Sequence, residues 1–246
     1  MSCPDCTAGE FLPGEPTGTL STLGAYLAAS PSSSQSGHSK RAIVLLTDVF
    51  GLPLKNCKIV ADHIAKELSC DVWVPDYFAG WPIMKLSQLK AVGRTGGKLT
   101  WWQWFGFVAD FITAIREERK YEKVGAVGYC YGGAAAIRLG TTNLVESIVV
   151  CHPGDFTINQ AKAIKVPSSW VCAEEDQFFS KTARLRVEAV FADRKEADNF
   201  VDYEFKDYKG TVHGFGIRPN LTDPAVKEAY EKSLEQITSW FAKTLQ

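Results

Sequence analysis

Apolar and polar positions follow one another along this chain in two rhythms. Ala42-Ile-Val-Leu-Leu-Thr47 is a continuous apolar run, as expected for a strand covered on both faces. Asn56 to Leu68 carries apolar residues at Ile59, Val60, Ile64 and Leu68 with Lys58, Asp62 and Lys66 facing out, which predicts an amphipathic helix. Val72-Trp-Val74 reads as the next strand, stopped by Pro75. Trp101 to Lys120 predicts a helix, Lys123 to Gly128 a strand and Tyr131 to Leu139 a further helix. Leu144 to Cys151 and Val166 to Ala173 read as buried strands, Lys181 to Phe191 as helix, and Val201 to Phe205 as a strand mixed with polar residues. Ala225 to Leu245 is a long terminal helix with Asp223-Pro224 as its start signal. Strands alternating with helices predict an α/β fold, a doubly wound, mainly parallel sheet with helices on both faces. In such sheets, sites form at the C-terminal ends of strands.

Residues 1–39 read as a peripheral arm and loop. Thr19 to Ala28 predicts one or two edge strands interrupted at Gly24, and the Ser-rich stretch from Ser30 to Ser39 is too polar to bury anything. No later linker divides the chain, so its 246 residues read as one domain with ample material for a core. A net charge of −1 leaves no electrostatic footprint for nucleic acid or an anionic membrane. No apolar run approaches the ~20 residues of a membrane span. The first residues, Met1-Ser-Cys-Pro-Asp-Cys-Thr, lack the basic and apolar regions of an export signal. Seven cysteines then read as reduced thiols of a cytoplasmic protein rather than a disulfide framework. Cys3 and Cys6 find no second close Cys/His pair to complete a zinc site, so no metal is expected there.

Chemistry concentrates in Gly125-Ala-Val-Gly-Tyr-Cys-Tyr-Gly-Gly133, where an apolar strand runs through G-x-C-x-G into an Ala-rich helix. This is the strand–turn–helix context of the α/β-hydrolase nucleophile elbow, with cysteine in the usual serine position. The turn strains the backbone of the central residue and leaves no room for side chains beside it. Cys130 therefore stands at the C-terminal edge of the sheet, over a helix N-terminus that favours a thiolate.

A thiol nucleophile needs a base, and the base needs an orienting acceptor. On this fold the order along the chain is nucleophile, acid, histidine. Of four histidines, His38 and His63 precede Cys130, and His152 follows it with no acid-bearing strand between. His213, late in Lys209-Gly-Thr-Val-His-Gly-Phe215, fills the expected place. The acid belongs on the loop after Val166 to Ala173, where Glu174, Glu175 and Asp176 compete; Asp176, next to the turn, is the choice. Two backbone amides should form an oxyanion hole, Tyr131 directly after the nucleophile and Val49 in the loop after the first core strand. Asp48 in that loop would lie near the thiol, disfavouring its anion but able to accept its proton.

Together, Thr47-Asp-Val-Phe-Gly51, Val74-Pro-Asp-Tyr-Phe78, Gly128-Tyr-Cys-Tyr-Gly-Gly133, Asp176 and His213-Gly-Phe215 resemble the dienelactone hydrolase (carboxymethylenebutenolidase) family from about Gly24 onward. The resemblance implies an α/β-hydrolase fold, no cofactor, and hydrolysis of a small lactone or ester through Cys130, His213 and Asp176. Bacterial members carry glutamate where Asp48 stands. Arg218 lies near the expected place of an arginine that binds the substrate carboxylate.

The segment 79–104, with Trp81-Pro82, Gly93, Gly96-Gly97 and Trp101-Trp-Gln-Trp104, reads as a lid region. Tyr77, Phe78, Trp102, His152 and Arg218 are the candidate substrate-binding residues. The expected partner is a small-molecule lactone or ester bound by a monomer or homodimer, not nucleic acid or membrane. Two alternatives stand beside hydrolysis: a thioesterase or acyltransferase on the same fold, and a non-catalytic thiol sensor or binding protein.

Overall fold

The computed structural model describes residues 9–31, 39–80, 83 and 101–246, with backbone alone for 101–103. Cys3, Cys6, His38, the side chain of Trp102 and most of the 79–104 lid region lie outside the described residues. The elements, in chain order, are β1 (Thr19–Leu20), β2 (Tyr26–Ala28), β3 (Arg41–Leu46), α1 (Lys55–Leu68), β4 (Asp71–Val74), α2 (Trp101–Arg119), β5 (Lys123–Tyr129) and α3 (Tyr131–Leu139). They continue with β6 (Ser147–Cys151), α4 (Ile158–Lys162), β7 (Ser168–Glu175), α5 (Lys181–Ala192), β8 (Tyr203–Val212) and α6 (Pro224–Thr244).

Among the described residues eight strands form one sheet in the order β1-β2-β4-β3-β5-β6-β7-β8. From β4 to β8 every pairing is parallel, and β2 joins β4 antiparallel. Along β3, Ile43 and Leu45 face a core built with α1 and α6, while Ala42, Val44 and Leu46 face a core with α2, α3 and α5. Two buried faces explain why the strand is an unbroken apolar run.

The differences from the sequence reading have local causes. β8 runs to Val212, well past Phe205, because its polar residues lie on the sheet's open edge, where one side of a strand faces water. The short helix α4 has no apolar periodicity to betray it. It is nucleated by a capping box in which Thr157 Oγ1 accepts from the Gln160 amide and Gln160 Oε1 accepts from the Thr157 amide. The arm before β1 is anchored rather than loose: the Leu12 amide donates to Asn56 Oδ1 at 2.9 Å, and Asn56 Nδ2 donates to the carbonyls of Glu10 and Ile217. Leu12 itself is buried in the core.

Candidate active site

Four loops meet at the carboxyl edge of the parallel strands, following β3, β5, β6 and β7, and the end of β8 joins them. Cys130 sits between β5 and α3 with φ 52° and ψ −110°, a conformation sparsely populated for a non-glycine residue. Its neighbours make that turn compulsory. A Cβ on Gly128 would lie 2.0 Å from the Gly132 carbonyl oxygen, and one on Gly132 would lie 2.2 Å from that of Leu46. The Gly132 amide donates to Thr47 O at 3.0 Å, which ties the elbow to the loop carrying Asp48 and Val49. Cys130 lies in an apolar cluster with Phe50 and Leu54, against which Val49, Ile83 and Phe178 pack.

The second half of the site comes from β7 and β8. Asp176 directly follows β7 and is buried, while Glu174 and Glu175 before it are exposed. Asp176 Oδ1 accepts from the amides of Phe178 and Phe179 at 2.8 and 3.1 Å, fixing the carboxylate; its Oδ2 lies 2.8 Å from His213 Nδ1. An acceptor held in this way selects the tautomer with the proton on Nδ1 and leaves Nε2 as the basic nitrogen. The His213 ring packs on Phe178 with centroids 4.9 Å apart, so His213 and the Cys130 thiol share one aromatic neighbour. Phe178 escaped the sequence reading, because two adjacent phenylalanines in a loop carry no periodic signal.

Asp48 and Arg218 are found in a different arrangement from the one expected. Arg218 Nε donates to Asp48 Oδ2 at 2.8 Å, with both side chains fully buried, and the other Asp48 oxygen accepts from the Phe50 amide at 3.0 Å. The guanidinium also covers the Phe50 ring at 5.2 Å. Arg218 is thus buried and held by Asp48, and it lines a cavity together with His213, Phe215, Val212 and Asn220. The reason is mutual neutralisation: a charge taken out of water needs an opposite charge and hydrogen bonds beside it.

Tyr77, Phe78 and His152 are also buried. Tyr77 is buried, and its hydroxyl donates to Thr47 O at 2.5 Å. Phe78 packs on Tyr77 and Tyr131 with centroids 4.6 and 5.5 Å apart. Tyr131 is half-buried and also meets Trp104 at 4.9 Å; burial pushes its hydroxyl up to about 12, so it stays protonated. His152 is fully buried and lies with its ring against His213, centroids 5.2 Å apart.

Burial also pushes up the thiols of Cys57, Cys70, Cys151 and Cys172, which keeps them protonated and unreactive. The described cysteines are all unpaired thiols. Among the described residues no group of three or more His, Cys, Asp or Glu is arranged to hold a metal ion. No described helix is long and apolar enough to cross a membrane.

The family model for the dienelactone hydrolase family matches residues 23–245. The chain belongs to that family. Among curated relatives of this dienelactone hydrolase family chain, it is 29% identical to hydrolase pyvD of Aspergillus violaceofuscus over 98% of this chain and 96% of that one. It is 25% identical to the carboxymethylenebutenolidase homolog of Mus musculus over 82% of each. A putative dienelactone hydrolase from Klebsiella pneumoniae superposes with a TM-score of 0.68 at 15% identity, covering 93% of this chain and 97% of that one. Est1E from Butyrivibrio proteoclasticus, in complex with ferulic acid, gives 0.58 at 10% identity over 87% and 94%. At these identities the structural likeness speaks for the α/β-hydrolase fold. The protein is a hydrolase of this family.

Proposed function

We propose that this hydrolase cleaves a small ester or lactone through a covalent thioester on Cys130, with His213 as base and Asp176 as its orienting acid. The observation carrying this reading is that a strained elbow cysteine and an aspartate-bound histidine, Nδ1 to Oδ2 at 2.8 Å, stand at the same sheet edge. His213 Nε2 takes the thiol proton as sulfur attacks the carbonyl carbon, and the amides of Val49 and Tyr131 receive the developing oxyanion. The proton passes to the leaving oxygen as the C–O bond breaks. Water then attacks the thioester, giving its proton to His213, and that proton returns to sulfur as the C–S bond breaks.

The surroundings favour an uncharged substrate. Arg218 is committed to Asp48, and Phe50, Leu54, Val49 and Phe178 give the thiol apolar company. A carboxylate brought here would have to compete with Asp48 for its only such partner among the groups described around the thiol. The reading is tested by Cys130→Ala and His213→Ala, each of which should lower turnover of an aryl acetate by at least ~10³. Near wild-type turnover in either variant would overturn it. Peroxide-dependent modification of Cys130 in a wild type that hydrolyses no ester would instead support a thiol sensor.

A further inference from the structure

His152 bears two costs that its neighbours do not relieve. Neither of its ring nitrogens has a hydrogen-bond partner although the residue is fully buried, and its φ is +33°, in the left-handed region for a non-glycine residue. Burial, with His213 and Arg218 nearby, pushes its basicity well below the ordinary histidine value, so the ring is neutral. An apolar side chain would fit such a place more cheaply.

The location of the residue explains what the costs sustain. β6 ends at Cys151, whose carbonyl accepts from the Cys130 amide at 3.1 Å; Gly154, three residues on, donates to the Cys130 carbonyl at 2.7 Å. His152 and Pro153 are the residues between these two clamps on the nucleophile's backbone. The His152 amide is itself held by Val171 O at 2.8 Å. The left-handed turn sends its ring inward, edge to face with His213 at 5.2 Å and against Phe215 at 5.7 Å. Space is left by Gly216, where a Cβ would come within 3.1 Å of His152 Nε2. One residue therefore touches the backbone frame of the thiol and the ring of the histidine.

We infer that His152 is a positioning residue that couples the two catalytic groups, holding the plane of His213 relative to the elbow that carries Cys130. The inference rests on the reading of Cys130 and His213 given above. Two substitutions separate its parts. His152→Asn keeps a residue that tolerates the left-handed turn but removes the ring. His152→Phe keeps a ring and removes both nitrogens.

The expected result for His152→Asn is kcat for an aryl acetate lower by at least ~10-fold with KM within about twofold, the signature of lost alignment rather than lost binding. Alkylation of Cys130 by iodoacetamide near neutral pH should slow in parallel. His152→Phe should recover at least about a third of the lost kcat on a logarithmic scale. Should His152→Asn fail to fold, Gly216→Ala presses on the same ring and should show the same kcat loss at unchanged KM. Wild-type kcat and alkylation in whichever of these two variants folds would overturn the inference. If Cys130→Ala or His213→Ala keeps wild-type turnover, the assigned chemistry fails instead, and the two failures are distinguished.

Discussion

Arg218 Nε lies 2.8 Å from Asp48 Oδ2, and the two side chains, 170 residues apart in sequence, bury each other completely beside the elbow of Cys130. Each residue has a tempting role by itself, a proton acceptor for the thiol or a cation for substrate. Paired, they form a neutral prop beneath the loop that carries Val49.

Breaking that prop strands a charge. Arg218→Ala should cost about 3–5 kcal/mol of stability, measured by urea denaturation, because Asp48 remains buried without its counter-charge. Its effect on kcat/KM should be similar for a carboxylate-bearing lactone, a neutral lactone and an aryl acetate. A loss confined to the anionic lactone would show that Arg218 reaches substrate. Asp48→Asn is the complementary case and should destabilise by a comparable amount.

In the proposed triad Asp176 acts on His213 by orientation. In Asp176→Asn the amide can present its NH2 to His213 Nδ1, favouring the wrong tautomer, and kcat should fall by ~10³ to 10⁴ with little change in KM. Glu175→Gln, one residue earlier and exposed, should leave turnover unaltered. Equal effects at the two positions would move the acid elsewhere.

Gly132 tests the elbow sterically. Its added Cβ would meet the Leu46 carbonyl carbon at 2.5 Å and its oxygen at 2.2 Å, backbone atoms that cannot rotate aside. Gly132→Ala should therefore abolish soluble expression or lower Tm by 10 °C or more on the order-of-magnitude scale of several kcal/mol. Gly106, with open space around its Cβ position, is the control and should accept alanine.

Acidification should weaken the fold in part through His152. Its folded-state affinity for a proton is depressed by burial and by His213 and Arg218, so below the ordinary histidine value the unfolded chain binds the extra proton. Its contribution is thus absent above about pH 6.5 and grows destabilising by about 1.4 kcal/mol per pH unit as pH falls below that value. The groups around it, Tyr129, His213 with Asp176, and Arg218 with Asp48, stay in place in His152→Phe. Urea denaturation at pH 7 and pH 5.5 should show a shallower loss in that variant; identical slopes would place the effect elsewhere.

How much of this was legible in the chain follows from the range of each interaction. The apolar run at Ala42 to Leu46, the helical stripe of Asn56 to Leu68 and the elbow glycines around Cys130 are local patterns, and local sterics alone dictate strand, helix and turn from them. Chain order on a parallel sheet extends that reach to His213 and Asp176, since each must lie at the carboxyl end of a later strand. The polar contacts between distant residues had no such rule. Nothing in the residues beside Asp48 or Arg218 marks them as partners, and nothing beside His152, just past the end of β6, marks it as a neighbour of the His213 ring. Whether a charge faces water or another charge, and whether a ring faces substrate or a second ring, depends on what the other loops bring to the same few ångströms. That is decided only when the sheet closes and desolvation makes each buried polar group find its match or bear the cost of having none.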